Sequence, residues 1–254
     1  MTSCVMVFGA SSGIGQALLA LAVKNDVQAI GVSRQARPAN VDAAVIWHQL
    51  DYQQSQQQSQ QQPLHQQPEQ EQPFPESKLA SLCQQYQPDL MYICHGLLQQ
   101  EQVKAEKSIR QLDIAAAGQS WWVNYLVPLL HIKAVWPYLL SHPCKVFVLS
   151  AKVGSITDNQ LGGWYSYRAA KAALNMAVKT AAIELNRQQK NTQIVTIHPG
   201  TTDTVLAAPF SKNVPVGQLQ TPASTALRLW QVAEHLQPAD HGALLNWDGR
   251  QLPF

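Results

Sequence analysis

Charge is scarce in this chain: Asp, Glu, Lys and Arg together supply 13% of its 254 residues, and the net charge is only +2. A balance so near neutrality, with no basic stripe interleaved with aromatics, gives no electrostatic case for nucleic acid or an anionic membrane surface. Cysteine is scarcer still. The four present, Cys4, Cys83, Cys94 and Cys144, are scattered, with no CxxC pair and no histidine cluster at ligand spacing. That pattern excludes a disulfide frame and a zinc site and suits reduced, buried thiols, so no metal is expected. A long uninterrupted apolar run is also lacking. The nearest, WWVNYLVPLLHIKAVWPYLL, is broken by asparagine, histidine, lysine and two prolines, which makes it a poor membrane span. The first residues carry no basic n-region and enter a glycine motif almost at once, so no secretory leader is expected. These absences together point to a cytoplasmic protein.

What is present is apolar. At 46% hydrophobic residues the chain can build a substantial core. Short runs read as strands: CVMVF (4–8), VQAIGV (27–32), AAVIWHQL (43–50), LMYIC (90–94), KVFVLS (145–150), QIVTIH (193–198) and ALLNW (243–247). Their weak polar alternation suits strands buried on both faces, as in a parallel sheet. Between them Ile14, Leu18 and Leu21 recur at helical spacing, as do Leu79, Leu82 and Tyr86, then Leu126, Leu130 and Val135. Alternation of this kind predicts an α/β fold, one doubly wound domain over residues 1–254 around a mostly parallel seven-stranded sheet. The segment QQSQQQSQQQPLHQQPEQEQPFPE, about 53–76, has no apolar periodicity to offset its ordering entropy and is expected as a disordered or loosely held surface insert.

Two motifs carry chemistry. GASSGIG, Gly9 to Gly15, follows the first strand and opens the first helix. Gly9 permits the tight turn, Gly13 lets backbone approach a phosphate, and Gly15 lets the helix pack close to the sheet, with the helix N-terminus facing the anion. Its spacing is GxxxGxG, not the GxGxxG of the commonest dinucleotide fingerprint. GGWYSYRAAKAAL, residues 162–174, holds two tyrosines and one lysine. On a helix Tyr167 shares a face with Lys171, whereas Tyr165 has only Ala169 at that spacing. An ammonium beside a phenol lowers a pKa that starts near ~10, which makes Tyr167 the candidate proton donor.

GASSGIG, YxxxK (Tyr167 to Lys171) and HPG (His198 to Gly200) together resemble the short-chain dehydrogenase/reductases, whose domain is of the doubly wound Rossmann type. The resemblance spans essentially the whole chain apart from the glutamine tract. GSI, GGWYSYRAAKAALN and LLNWDGRQLPF are similar to the branch containing C-factor signalling proteins and sniffer-type carbonyl reductases. It implies that Tyr167 is the acid/base, that Lys171 lowers its pKa and holds the nicotinamide ribose, and that Asn124 belongs to the proton relay. Pro128 has no N–H, so it cannot serve the Asn124 carbonyl as a helical donor, which suits a water leading to Lys171. The family's serine is the second of a Ser-Ser pair, but this chain reads Ser150-Ala151 there. Ser155, after Gly154, is favoured for that role, with Ser150 the alternative.

The resemblance also implies cofactor contacts from Ser11, Ser12 and Ile14 in the phosphate turn, Asp51 at adenine, Gly96 at the ribose, and Thr201, Thr202 and Thr204 after Pro199 and Gly200. The family's NNAG appears here as ICHG (93–96), with His95 expected to be structural. GVSRQARP offers Ser33, Arg34 and Arg37 and no acid. An acid would accept the ribose hydroxyls of NAD(H); Arg34 instead suits a 2′-phosphate, so NADP(H) is favoured over NAD(H). The expected reaction is hydride transfer between NADP(H) and a carbonyl or alcohol small-molecule substrate. The alternative is a nucleotide-binding signalling or sensor protein with little or no turnover. The segment 205–222 reads as an apolar lid, and the resemblance implies a homodimer or homotetramer through the helices bearing Asn124 and Tyr167.

Overall fold

The computed structural model describes residues 2–51, 74–99, 104–189, 191–211, 214–215 and 217–254. Its strands are β1 (Cys4–Phe8), β2 (Gln28–Ser33), β3 (Ile46–Gln49), β4 (Leu90–Ile93), β5 (Lys145–Leu149), β6 (Gln193–His198), β7 (Leu244–Asn246) and β8 (Gln251–Leu252). They form one sheet in the order β3-β2-β1-β4-β5-β6-β7-β8. Every neighbouring pair is parallel except β7–β8. The sheet thus has eight strands, not seven. The added strand is only two residues long and returns from β7 through a tight turn in which Gly249 N–H donates to the Asn246 carbonyl at 2.9 Å. A pair of residues carries no periodicity, which is why the sequence hides it.

Strand pleating divides the core into two layers. Cys4, Met6 and Phe8 of β1 face one layer, while Val5 and Val7 face the other. The first layer is closed by α2 (Glu76–Tyr86), α4 (Val127–Ser141) and α5 (Tyr165–Gln188), through Leu79, Val135, Leu174 and Val178. The second is closed by α1 (Gly13–Lys24) and α6 (Pro222–His235), through Leu18, Leu19, Leu229 and Trp230. A shorter helix, α3 (Ile114–Trp121), runs into α4 through a π-helical turn at Trp122–Leu126. All four cysteines are free and buried, and removal from water raises the thiol pKa values, to about 12 for Cys4 and Cys83.

The glutamine-rich stretch lies, over residues 52–73, outside the described residues. Its expected end at 76 shifts: Phe74 packs against the core, and Glu76 opens α2, bonded to Lys133 of α4 at 2.7 Å. Among the described residues no helix is long and apolar enough to cross a membrane, and no group of three or more metal-ligating side chains gathers.

Strand order reverses between β1 and β4, whose neighbours run to opposite edges of the sheet. A cleft outside the carboxyl ends of the strands is expected at such a switch point.

Candidate active site

The glycine turn is built by close approach. Gly9 takes a left-handed φ of +71°, and a Cβ there would lie 3.1 Å from the Cys94 carbonyl carbon, so the turn sits directly on the segment after β4. A Cβ on Gly15 would lie 2.8 Å from the Gly9 carbonyl oxygen. Ser12 caps α1 by accepting from the Gly15 N–H at 3.1 Å. Gly13 meets the Thr204 methyl, 2.9 Å from where a Cβ would stand, so the chain after β6 folds over the turn. These close approaches carry the chain directly from β1 into α1, whose N-terminal dipole end favours an anion.

Beside the turn, the Ser33 hydroxyl donates to Ser11 Oγ at 2.9 Å and accepts from the Gln35 N–H at 3.1 Å. Arg34 follows, half-buried, its carbonyl accepting from Gln49 Nε2 at 3.0 Å. Arg37 is spent elsewhere: it folds back on its own loop and donates to the Val41 carbonyl at 3.0 Å and to that of Asp42. Asp51 is exposed just beyond β3.

The far side of the cleft is set by α3, α4 and α5. Asn124 is fully buried in the π-helical turn. Its Nδ2 donates to the Leu97 carbonyl at 2.7 Å and the Ser120 carbonyl at 2.9 Å, while Oδ1 accepts from the Leu97 N–H at 2.9 Å. The side chain therefore staples the loop carrying Gly96 to the broken helix. A Cβ on Gly96 would lie 3.1 Å from Leu206 of the segment expected as a lid. His95 stacks obliquely on His131 at 4.6 Å.

Tyr167 and Lys171 lie on the buried face of α5. Lys171 Nζ donates to the Leu149 carbonyl at 3.0 Å and the His95 carbonyl at 3.4 Å, which ties the helix to the ends of β5 and β4. It stands 5.8 Å from the centre of the Tyr167 ring. The electrostatics differ from expectation. Burial raises the Tyr167 phenol above its ordinary value, and burial brings the Lys171 ammonium down to about 7. Loss of water acts on both groups before either acts on the other, so the ammonium is the member drawn toward neutral pH.

The two serines part company. Ser150 donates to Asn175 Oδ1 at 2.7 Å in a buried pair, whereas Ser155 Oγ accepts from the Asp158 N–H at 3.1 Å. Gly154, just before Ser155, lies against the Lys171 backbone, where a Cβ would be 2.9 Å from the carbonyl carbon. Thr202 is buried with its hydroxyl 2.8 Å from that of Thr225, so it anchors the segment after β6 to α6. Gly200, at φ +81°, packs on Trp247 beside Pro199.

The sequence reading missed the entrance of α5. Trp164 precedes the helix in a left-handed conformation, φ 52°, and its ring meets those of Tyr167 at 6.3 Å and Phe210 at 5.4 Å. Glu106, buried, reaches this entrance from 60 residues upstream. The one local signal was the glycine pair Gly162-Gly163, both with positive φ, ahead of the helix.

Comparison with known proteins identifies the family and the fold. The family model described as short chain dehydrogenase matches residues 3–215. A 1-hydroxy-2-glutathionyl-2-methyl-3-butene dehydrogenase of Rhodococcus sp. (strain AD45) is 35% identical over 147 residues, 58% of this chain and 62% of the relative. The C-signal protein of Myxococcus xanthus is 29% identical over 149 residues, 58% of this chain and 84% of the relative. Among solved structures, the carbonyl reductase Sniffer of D. melanogaster superposes with a TM-score of 0.76 at 18% identity, each chain fully covered. An NADPH-bound carbonyl reductase from chicken fatty liver gives 0.77 at 20% identity, covering 99% of this chain and 94% of the other.

Proposed function

Because the chain belongs to the short chain dehydrogenase family, we propose that it is an oxidoreductase that moves a hydride between NADP(H) and a carbonyl or alcohol carbon, with Tyr167 as the proton donor. The observation that carries this reading is the Tyr167–Lys171 pair, buried on one face of α5 and held by carbonyls from the ends of β4 and β5. The glycine turn fits a dinucleotide: Gly9, Gly13 and Gly15 pack so closely on Cys94, Thr204 and the Gly9 carbonyl that the turn runs tightly into α1, whose N-terminus favours an anion. Gly9, Ser11, Ser12, Gly13, Ile14 and Gly15 would hold the diphosphate, with Thr204 closing over it. Gly96 would meet the ribose, and Pro199, Gly200 and Thr202 would shape the carboxamide side. Arg34, with Ser33 beside it, would meet the 2′-phosphate, since Arg37 is already engaged. The bound nicotinamide would supply or take the hydride.

The residues of the chain handle the proton. A phenol whose pKa burial has raised stays protonated at neutral pH and can donate to a developing alkoxide. Lys171, near its own midpoint at pH 7, can return the proton, and Pro128 leaves the Asn124 carbonyl without a helical donor at that position. Ser155, whose oxygen already accepts, keeps its O–H for the substrate oxygen. Trp164 and Phe210 give the cleft an aromatic wall suited to a neutral, apolar carbonyl compound.

Expression of Tyr167→Phe is the test. NADPH oxidation with aldehydes, ketones, quinones and diketones should fall by ~10² to 10⁴ in rate while NADPH still binds. Turnover at the wild-type rate would refute the assignment. Tight NADPH binding with no turnover of the wild-type protein across that panel would favour the sensor reading, to which the likeness to C-signal lends support.

The same reading places a second copy of the chain on the outer face of α4 and α5. Tyr125, Leu129, Trp136, Ala173 and Met176 line a groove of about 580 Å³ there, and Met176 is 67% exposed. Sedimentation of the wild type and of Met176→Glu would test it. It also places the protein in a reducing compartment such as the cytoplasm, where four unpaired thiols persist.

A further inference from the structure

The helix that carries Tyr167 begins without any local cap. Trp164, the residue before it, makes no side-chain hydrogen bond to the first turn and sits in the left-handed region, where a bulky aromatic is rare. The two glycines ahead of it also have positive φ. A first turn left this way has orphan N–H groups that something else has to satisfy.

Glu106 does so from the loop between β4 and α3. Its Oε2 accepts from the Ser166 N–H at 3.3 Å, and Oε1 accepts from the Ser166 hydroxyl. Its own carbonyl accepts from the Trp164 N–H at 2.5 Å, so both main chain and side chain hold the entrance. Only 5% of Glu106 is exposed, and the ion pairs among the described residues do not include it. A carboxylate this buried needs compensation, and the positive end of α5 together with the Ser166 donors provides it. From the other side Arg168 donates to the Gly163, Gly162 and Val153 carbonyls at 3.0–3.2 Å. The turn that delivers Tyr167 is therefore clamped between a buried carboxylate and a guanidinium.

Ser166 is the residue next to Tyr167. Whatever moves its N–H moves the backbone from which the phenol hangs, and a misplacement near 1 Å at a reacting group costs on the order of 10²-fold in rate. We propose that Glu106 is a positioning residue for the proton donor: its carboxylate closes the first turn of α5 and thereby sets where the Tyr167 hydroxyl stands. This rests on the reading of Tyr167 as that donor. Glu106 touches neither substrate nor cofactor in this account; it acts through Ser166 and through the left-handed Trp164, whose ring is edge-on to Tyr167 at 79°. An ordinary cap would cost stability when removed and leave turnover per folded molecule unchanged. A positioning role makes a different demand.

The test uses the full chain as wild type, Glu106→Ala, Glu106→Gln, Ser166→Ala and Tyr167→Phe, with menadione and benzaldehyde as probes of NADPH oxidation. In Glu106→Ala, kcat should fall by about 10- to 100-fold with NADPH affinity and KM held. Glu106→Gln keeps an oxygen acceptor at the same place and should recover most of that loss. Ser166→Ala, which loses only the hydroxyl donor, should fall between the two and carries the test if Glu106→Ala does not fold. Hydrogen exchange across residues 164–168, which needs no substrate, should be faster in Glu106→Ala than in the wild type. Wild-type kcat in Glu106→Ala and Ser166→Ala, unchanged exchange at 164–168, or no recovery in Glu106→Gln would each overturn the proposal. If Tyr167→Phe is inactive while Glu106→Ala turns over normally, the positioning role alone fails. If Tyr167→Phe turns over normally, the donor assignment fails and takes the positioning role with it.

Discussion

The glycine turn at Gly9–Gly15 and the entrance to α5 at Gly162–Tyr167 both start a helix that packs on the sheet, and they do so by different means. The first is capped locally. Ser12 caps α1 from within the helix's own approach and Gly15 closes on the Gly9 carbonyl, while Gly9 and Gly13 pack against Cys94 and Thr204 from distant parts of the chain. The second is assembled from a distance. Its cap is Glu106, 60 residues away, and its anchor to the sheet is Lys171, reaching carbonyls at Leu149 and His95. The cap of the first kind can be written in seven consecutive residues. A turn of the second kind exists only once the loop after β4 has found its place, which couples the backbone at Tyr167 to the same loop that Asn124 staples through Leu97.

That contrast can be broken most severely at Gly15. Gly15→Val drives side-chain atoms into the Gly9 carbonyl and the Ser12 hydroxyl, backbone and cap at once, so about 3 kcal/mol of stability should be lost, the upper end of what overpacking costs. Thermal unfolding with and without NADPH should show no protection by the nucleotide, and retained protection would mean that the turn can relax. Arg34→Ala comes next. Loss of a charge-assisted bond to the 2′-phosphate should cost about 2 kcal/mol, or ~30-fold in NADPH affinity, with NADH affinity unaltered. Fluorescence titration with both nucleotides decides it, and an equal loss for both would remove Arg34 from the phosphate. On the other side of the contrast, Trp164→Gly should be about 1 kcal/mol more stable than Trp164→Ala. Both lose the ring, but only alanine still carries the left-handed penalty, so equal denaturation midpoints would show the entrance to be unstrained. The smallest effect is in pH. Lys171 titrates near 7 when folded and near 10.5 when unfolded, so the unfolded chain holds the extra proton between those values. Its contribution to stability is therefore present above the unfolded value and is lost as pH falls through the folded one. Wild type minus Lys171→Met should gain about 0.7 kcal/mol per pH unit near pH 7, read from urea unfolding at several pH values. A flat difference would place Lys171 in water.

Legibility in the sequence follows the same division. QIVTIH coincides with β6 because a buried parallel strand is a short apolar run, and GASSGIG reads as a turn because Ser12 and Gly15 answer neighbours a few residues away, though the contacts of Gly9 with Cys94 and Gly13 with Thr204 could not be read. The π-helical turn at Trp122–Leu126 was half visible, since Pro128 announces that a donor is missing but not which hydrogen bonds replace it. Ser150 and Ser155 could not be separated without Asn175 and Asp158, and Thr202 could not be read as an anchor without Thr225. Glu106 left no trace at all, because a single acid in a polar loop looks like a solvated charge until the fold removes its water. Likewise the Tyr167–Lys171 spacing predicted the right face of the helix and the wrong electrostatics. Spacing says which charges are neighbours; it does not say how much solvent both have lost.

The thiols have a consequence for the chemistry proposed. Quinones, among the compounds in the proposed test panel, are also electrophiles that thiolate anions attack and that thereby alkylate protein sulfur. Here every cysteine is interred, and the desolvation that raises Cys4, Cys83, Cys94 and Cys144 keeps the sulfur protonated and unreactive. Under the proposed function, a substrate of that kind would find no exposed thiolate to react with.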